Sequence, residues 1–244
     1  MTENKRLFFG AQVSAPWPPS LPSGRIIEES SRHLTLLFLG NAPPPPFSPP
    51  PFPVGPVGIC NRLLFLPQQH PRVVAYHVHW LDDKLQNYHK TISHEELLSH
   101  VTLARAPLDV PAWQASFYKI PLFIKAFHLY ESVGSLTYKP LSSFPLIAPF
   151  EEFEHTADIA FHIRAEKPRD LLLDAQIALA FKFPQLLPYF SQSEASTLEE
   201  IVPLLNKVIA KADAAIGCPF KAVSFSGNIE SRKSLLHWEM IVDV

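Results

Sequence analysis

The sequence has 244 residues, of which 47% are hydrophobic and 18% are charged, and its formal net charge is −2. This composition is typical of a globular protein with one large domain or two modest ones, and it excludes a polybasic nucleic-acid coat. No apolar stretch is long enough to span a membrane, no targeting segment is visible, and the two cysteines have no metal or redox spacing, so we expect a cytoplasmic protein without a membrane partner.

Strands and a proline-rich run are predicted in the first third of the chain. Apolar patterns predict strands over residues 6–13 and 33–39. Residues 43–56 then contain nine prolines. Because proline can neither donate to a strand ladder nor continue a helix, we interpret this run as a stiff surface connection that leaves one face of the fold thinly covered. Two more strands are predicted over residues 57–66 and 72–80.

The second of these strands carries His77 and His79 on one face. No third ligand is nearby in the sequence, so an exposed strand face is favoured over a metal site. The elements predicted between this strand and residue 148 are a helix over residues 81–89, a helix opened by a capping box from Ser93 to Glu96, a strand over residues 100–105, and a hairpin over residues 121–146 that turns at Gly134.

Two of the predicted strands contain a His-x-Thr-Leu motif, in RHLTLLFLG and in SHVTLAR. Alternate side chains of a strand share a face, so His33 and Thr35 point one way, as do His100 and Thr102. If the two strands are neighbours, two imidazoles and two hydroxyls meet on one surface. Because histidine titrates near neutral pH, such a pair can give and take a proton in one turnover.

The doubled motif, together with RLFFGAQV, APWPPSLPSGR and FHLYESVGSLTYKPLSSFPL, resembles the two-histidine phosphoesterases, and within them the RNA 2′,3′-cyclic phosphodiesterases, also called 2′-5′ RNA ligases. The resemblance implies a two-lobed antiparallel-sheet domain over residues 1–148. It also implies hydrolysis of an RNA 2′,3′-cyclic phosphate to a 2′-phosphomonoester without a metal cofactor, and a 2′-5′ RNA ligase activity.

In that chemistry one histidine deprotonates water and the other protonates the leaving 3′ oxygen. We assign His33 as the acid and His100 as the base, and Thr35 and Thr102 as donors to the non-bridging oxygens. Arg105 matches an arginine that approaches the phosphate in this family. On a regular strand, however, Arg105 faces away from His100, so its role requires a bend or a strand end near Ala104.

The sign of the charge changes near residue 149. Up to residue 150 there are 12 Lys and Arg against 9 Asp and Glu, and after it 9 against 14. There the motif FEHTADI, a helix over residues 168–180 and the closing segments KAVSFSGNIE and HWEMIVDV resemble archease. The resemblance implies a smaller α/β domain over residues 149–244, shortened in its middle, where only a helical stretch interrupted by Pro203 is predicted. The whole chain is therefore expected to be α+β.

The archease resemblance also implies an acidic site. Asp158 and Asp243 match acidic residues of that family, and the carboxylate of Val244 is adjacent; hard oxygen donors of this kind suit Ca²⁺ or Mg²⁺, while a solvated acidic edge without metal is the alternative. Lys221 matches a lysine expected to contact a partner, namely a GTP-dependent RNA-splicing ligase. Together the two halves indicate RNA-end processing or repair, with tRNA halves among the candidate substrates. The alternative is a non-catalytic adaptor that binds RNA ends or activates the ligase.

Overall fold

The structure is a computed structural model that describes residues 5–46, 48–154, 158–225 and 227–244. It divides into two compact units, Met1–Ile147 and Ala148–Val244. Each unit is built on its own antiparallel sheet. Within the described residues, no helix is both long and apolar enough to cross a membrane.

In the first unit the described residues form eight strands and two α-helices: β1 (Lys5–Ser14), β2 (Arg25–Ile26), β3 (His33–Ala42), β4 (Val57–Leu66), β5 (Val73–Trp80), α1 (Lys84–Ile92), β6 (His100–Arg105), α2 (Val110–Ser116), β7 (Ile120–Gly134) and β8 (Thr137–Pro145). The strand order is β1-β3-β6-β5-β4-β7-β8, β2 pairs with β6, and β1 also pairs with β7. The sheet therefore closes on itself.

The closed sheet shows how the strands of the expected two-lobed domain are connected. β7 is fifteen residues long, and its first part pairs with β4 while its remainder pairs with β1. This one long strand joins both halves into a continuous sheet. On the opposite side of the closure, the β3–β6 contact consists of the single pair Leu34 and Val101. Residues of both strands line a cavity at this point.

The proline-rich run covers the fold more closely than expected. Phe52 and Val54 are buried in the core, and the Phe52 ring packs edge-on against Tyr88 of α1. The Tyr88 hydroxyl donates to the carbonyl of Ser48 at 2.8 Å. Gly55 passes so close to Ile124 that a Cβ there would lie 2.0 Å from the Ile124 carbonyl oxygen, which only glycine tolerates. The run thus acts as an extended cover over α1.

Two local predictions about helices were wrong. The capping box at Ser93 opens no helix; instead the Ser93 hydroxyl accepts from the backbone N–H of Glu95 at 3.1 Å, which closes a local turn. A capping box does occur at Thr197 and Glu200, where it begins the last helix of the chain. That helix continues through Pro203 without interruption. Its buried apolar stripe against the second core stabilises it despite the lost hydrogen bond.

The second unit contains β9 (Phe150–Glu154), β10 (Ile159–Ala165), α3 (Pro168–Lys182), α4 (Leu198–Ile216), β11 (Ala222–Val223), β12 (Glu230–Arg232) and β13 (Leu235–Asp243). The strand order is β11-β13-β10-β9, and β12 also pairs with β13. The two helices pack against one sheet face, which carries Phe161, Ile163, Trp238 and Met240. This unit is an α/β layer in which the described strands pair antiparallel.

Candidate active site

The two His-x-Thr motifs lie on the adjacent strands β3 and β6 of the first unit. Leu34 of β3 is paired with Val101 of β6, and both are fully buried. Continuing this antiparallel register places His33 opposite Thr102 and Thr35 opposite His100. The four polar side chains therefore share the face opposite to the buried leucine and valine, and all four line one cavity.

This cavity has a volume of about 330 Å³. Besides the motif side chains it is lined by residues of β1, of β3, of the facing ends of β4 and β5, of β6 and of the β7–β8 hairpin, and by Ile27 directly after β2: Arg6, Phe8, Ile27, Phe38, Leu66, Val73, Arg105, Ser132, Gly134, Ser135, Leu136 and Tyr138. A space of this size with convergent polar groups on an apolar wall is typical of a small-molecule or nucleotide site.

Both motif histidines are held in the same orientation by the backbone. The Nδ1–H of His33 donates to the carbonyl of Ser31 at 2.7 Å, and the Nδ1–H of His100 donates to the carbonyl of Leu98 at 2.8 Å. A carbonyl only accepts, so Nδ1 of each ring carries a proton. Nε2 is consequently the ring nitrogen that each histidine offers to a substrate, as acid or as base.

His33 is the more buried of the two and lies among aromatic rings. Its ring contacts Tyr138 edge-on with a centroid distance of 4.5 Å, and Phe8 at 5.0 Å. Burial lowers the pKa of His33 to about 4; the hydrogen bond to Ser31 acts in the opposite direction, and the nearby side chains of His100 and Arg105 lower the pKa further. His33 is therefore neutral at pH 7 in the free protein, and the predicted acid role requires a bound anion that raises its pKa.

A β-bulge turns Arg105 toward the cavity. The β5–β6 register shifts between Val74 and Ala75, because β6 has one extra residue, Leu103, between Thr102 and Ala104. The extra residue reverses the alternation, so Arg105 lies on the same face as Thr102 and lines the cavity. Its Nε is buried and has no hydrogen-bond partner among the residues that the structure describes. The bend near Ala104 that a role of Arg105 at the cavity requires is thus present. The guanidinium can therefore bind an anion in the cavity.

The hairpin side of the cavity was not anticipated from the sequence. Tyr138 and the turn residues Ser135 and Leu136, which both have positive φ, form one wall. The turn was expected at Gly134, which directly precedes these two residues. Phe38, on β3, is 68% exposed at the cavity. The aromatic residue Phe38 in the first motif strand was the sequence signal that could have indicated this part of the site, because an exposed ring at a cavity edge can stack on a base.

In the second unit, Asp158 and Asp243 come from adjacent strand ends. β10 pairs Ile159 with Val242, and continuing this register by one residue sets Asp158 beside Asp243. Of the motif FEHTADI, residues 155–157 lie outside the described residues. The sequence-predicted acidic pair is therefore brought to one edge of the sheet.

The metal site expected at Asp158, Asp243 and Val244 stays a prediction, and two of its residues accept hydrogen bonds within the unit. Lys221 donates from Nζ to the main-chain oxygen of Val244 at 2.6 Å, and Ser224 donates to Asp243 Oδ1 at 3.2 Å. An ammonium thus supplies positive charge to one of the three proposed oxygen donors. Within the described ranges, no group of three or more His, Cys, Asp or Glu side chains could hold a metal ion. Lys221 therefore has a partner within its own unit, and its role toward a ligase stays a prediction.

Part of the chain resembles solved structures at low identity. E. coli LigT complexed with 3′-AMP has 20% identity and a TM-score of 0.41, and the match covers 59% of this chain and 98% of that one. A phosphoesterase crystal structure has 19% identity and a TM-score of 0.37, with 59% and 99% covered. No family model and no curated protein matches the chain. Its function must therefore be inferred from the residues of its own cavity.

Proposed function

We propose that the first unit hydrolyses the 2′,3′-cyclic phosphate at an RNA end to a 2′-phosphomonoester, and that the same site supports 2′-5′ ligation, in which the 5′-hydroxyl of a second RNA replaces water as the nucleophile. The observation that carries this proposal is the meeting of two imidazoles, each with Nε2 available, around one cavity. An imidazole pair provides acid and base without a metal. The cyclic phosphate is a strained diester, so positioned proton transfer is the main requirement for opening it.

In the proposed reaction, His100 Nε2 takes a proton from water as the water oxygen bonds to phosphorus. The bond from phosphorus to the 3′ oxygen breaks, and His33 Nε2 gives that oxygen a proton. Thr35, Thr102 and Arg105 donate to the non-bridging oxygens as negative charge increases there. His33 becomes competent as the acid because the bound phosphate charge favours its protonated form.

The cavity also favours a nucleotide over inorganic phosphate. Phe38 and Tyr138 form an aromatic edge beside the proposed phosphate-binding side chains, and both rings pack on the buried Phe8. A nucleobase stacks on such rings with little dependence on its identity. We therefore propose an RNA terminus of broad base preference as the substrate.

The test is incubation of purified protein with a short RNA that ends in a 2′,3′-cyclic phosphate, with the product identified as 2′- or 3′-phosphate. We expect a 2′-phosphate, and we expect His33→Ala and His100→Ala each to lower kcat at least a hundredfold, as loss of a general acid or base does. His94→Ala, at an exposed histidine outside the cavity, is the control and should leave the rate unchanged.

Activity should also survive EDTA. A rate abolished by chelation and restored by added metal would contradict the two-histidine mechanism. If the wild type binds the RNA but never opens the cyclic phosphate, the protein is a non-catalytic adaptor.

For the second unit we propose a ligase-assisting role that depends on Asp158 and Asp243 rather than on the histidines. The support is the FEHTADI and MIVDV segments and the common sheet edge of the two aspartates. Asp158→Ala should reduce stimulation of a GTP-dependent RNA ligase while hydrolysis by the first unit is retained. Unchanged guanylylation of the ligase in the presence and absence of wild-type protein would refute the role.

A further inference from the structure

A row of three side chains crosses the sheet next to the cavity. His100 of β6 is paired with His77 of β5, and His77 is paired with Arg62 of β4. Directly paired residues of adjacent strands have side chains on the same face. His77 and Arg62 therefore extend the face that carries His100 away from the cavity, and Arg62 is exposed.

His77 is oriented like the two motif histidines, although its partner is a side chain. A β-bulge at Asn61 brings the Asn61 Oδ1 within 2.8 Å of His77 Nδ1. The amide oxygen accepts, so Nδ1 carries the proton. Burial, followed by the nearby side chains of Arg62 and His79, lowers the pKa of His77 below the ordinary value of an imidazole, so its neutral form predominates at pH 7. Its Nε2 is then a hydrogen-bond acceptor pointing away from Asn61.

This row offers two complementary groups to a ribonucleotide. Arg62 is a permanent cation that matches a phosphodiester, whereas His77 presents an acceptor that matches a hydroxyl donor. Arg62 lies two strand spacings, about 10 Å, from His100, and its long side chain can reach back toward the cavity. The 2′ oxygen of the terminal nucleotide belongs to the cyclic phosphate, so the first free 2′-hydroxyl is on the penultimate nucleotide.

We propose that Arg62 and His77 form a subsite for the penultimate nucleotide of the RNA. Arg62 binds the phosphodiester between the last two nucleotides, and His77 Nε2 accepts a hydrogen bond from the penultimate 2′-hydroxyl. The proposal rests on the proposed function and adds to it that the substrate is an oligonucleotide end, recognised as RNA, rather than a free nucleoside cyclic phosphate.

The experiment compares four substrates: a nucleoside 2′,3′-cyclic phosphate, an RNA hexamer ending in this group, and the same hexamer with a single 2′-deoxy sugar at the penultimate or at the third position from the end. Arg62→Ala should lower kcat/KM for the hexamer about fivefold and leave the nucleoside unchanged. Lys90→Ala, which removes the same charge on α1, is the matched control and should change neither substrate.

In the wild type, the penultimate deoxy sugar should lower kcat/KM about fivefold, whereas the deoxy sugar at the third position should leave kcat/KM unchanged. In His77→Ala, the penultimate deoxy sugar should no longer lower kcat/KM. This effect is the ratio of kcat/KM for the two hexamers with one and the same protein. A general loss of activity in His77→Ala lowers both values and leaves the ratio unchanged. A penalty that persists in His77→Ala, no penalty in the wild type, or an equal effect of Arg62→Ala on nucleoside and hexamer overturns the subsite.

Failure of the proposed function has a different signature, namely that the wild type opens none of the cyclic phosphates. In that case fluorescence anisotropy of the labelled hexamer tests the subsite by itself. Loss of Arg62 should then weaken binding and reduce the slope of log affinity against log salt by about 0.7, the value for one single-strand phosphate contact. Binding that is unchanged in Arg62→Ala would overturn it.

Discussion

Binding of a phosphate ester should raise the pKa of His33 from about 4 to about 7. In the free protein this imidazole is neutral at pH 7, because burial disfavours its charge and because the guanidinium of Arg105 is nearby. At pKa 4, about one molecule in a thousand carries the proton at pH 7, which is too few for an efficient general acid. The substrate itself must therefore complete the acid.

The magnitude follows from one charge pair. A phosphate charge about 4 Å from the imidazolium contributes about 4 kcal/mol at an effective dielectric constant of 20. One pKa unit corresponds to about 1.4 kcal/mol, so the expected rise is about three units. The free protein and the complex should thus differ strongly in the protonation of one ring.

NMR of the imidazole Cε1–H groups can measure this, with His33 assigned by comparison with His33→Asn. We expect His33 to titrate near pH 4 in the free protein and near pH 7 with a saturating nucleoside 2′-monophosphate, while the nucleotide leaves the resonance of the exposed His94 in place. In kinetics, the acidic limb of kcat/KM should follow the free protein, whereas kcat should follow the complex. A His33 that titrates near 6.5 without ligand, or that is unmoved by the nucleotide, would refute the reasoning.

Three further outcomes are expected. Because the pKa of His33 is lowered to about 4 in the folded protein from 6.5, the unfolded state binds more protons between these values, and the free energy of unfolding should fall by about 3 kcal/mol as the pH drops from 6.5 to 4. Urea unfolding checks this, and His33→Asn should show a shallower dependence; an equal slope would contradict it. Arg105→Ala should lower kcat/KM tenfold or more through lost phosphate contacts, with Arg105→Lys losing less; equal rates would show that the guanidinium does not contact substrate. Millimolar Ca²⁺ or Mg²⁺ should leave the melting temperature unchanged, because Lys221 already provides positive charge at Val244; a rise of several degrees would show a cation site.

The sequence by itself determined the strands and the side of each strand on which the chemistry-bearing residues lie. Strand β4 and strand β6 run over the predicted residues, and His33 with Thr35 and His100 with Thr102 have the predicted parity. These features follow from the alternation of side chains between the two faces of a strand. This alternation is local, so the spacing of apolar residues along the sequence predicts it. That the two His-x-Thr motifs lie close together was inferred from the occurrence of two such motifs, and one motif by itself would not have indicated it.

Tertiary structure decided what depends on a partner strand or on the surroundings. The bulge at Leu103 that turns Arg105 inward exists only relative to β5, and the low pKa of His33 arises from rings contributed by β1 and β8. Likewise, the ammonium of Lys221 at Val244 joins residues distant in sequence. Pairing register, burial and charge proximity are properties of the assembled chain, and no local pattern of residues encodes them.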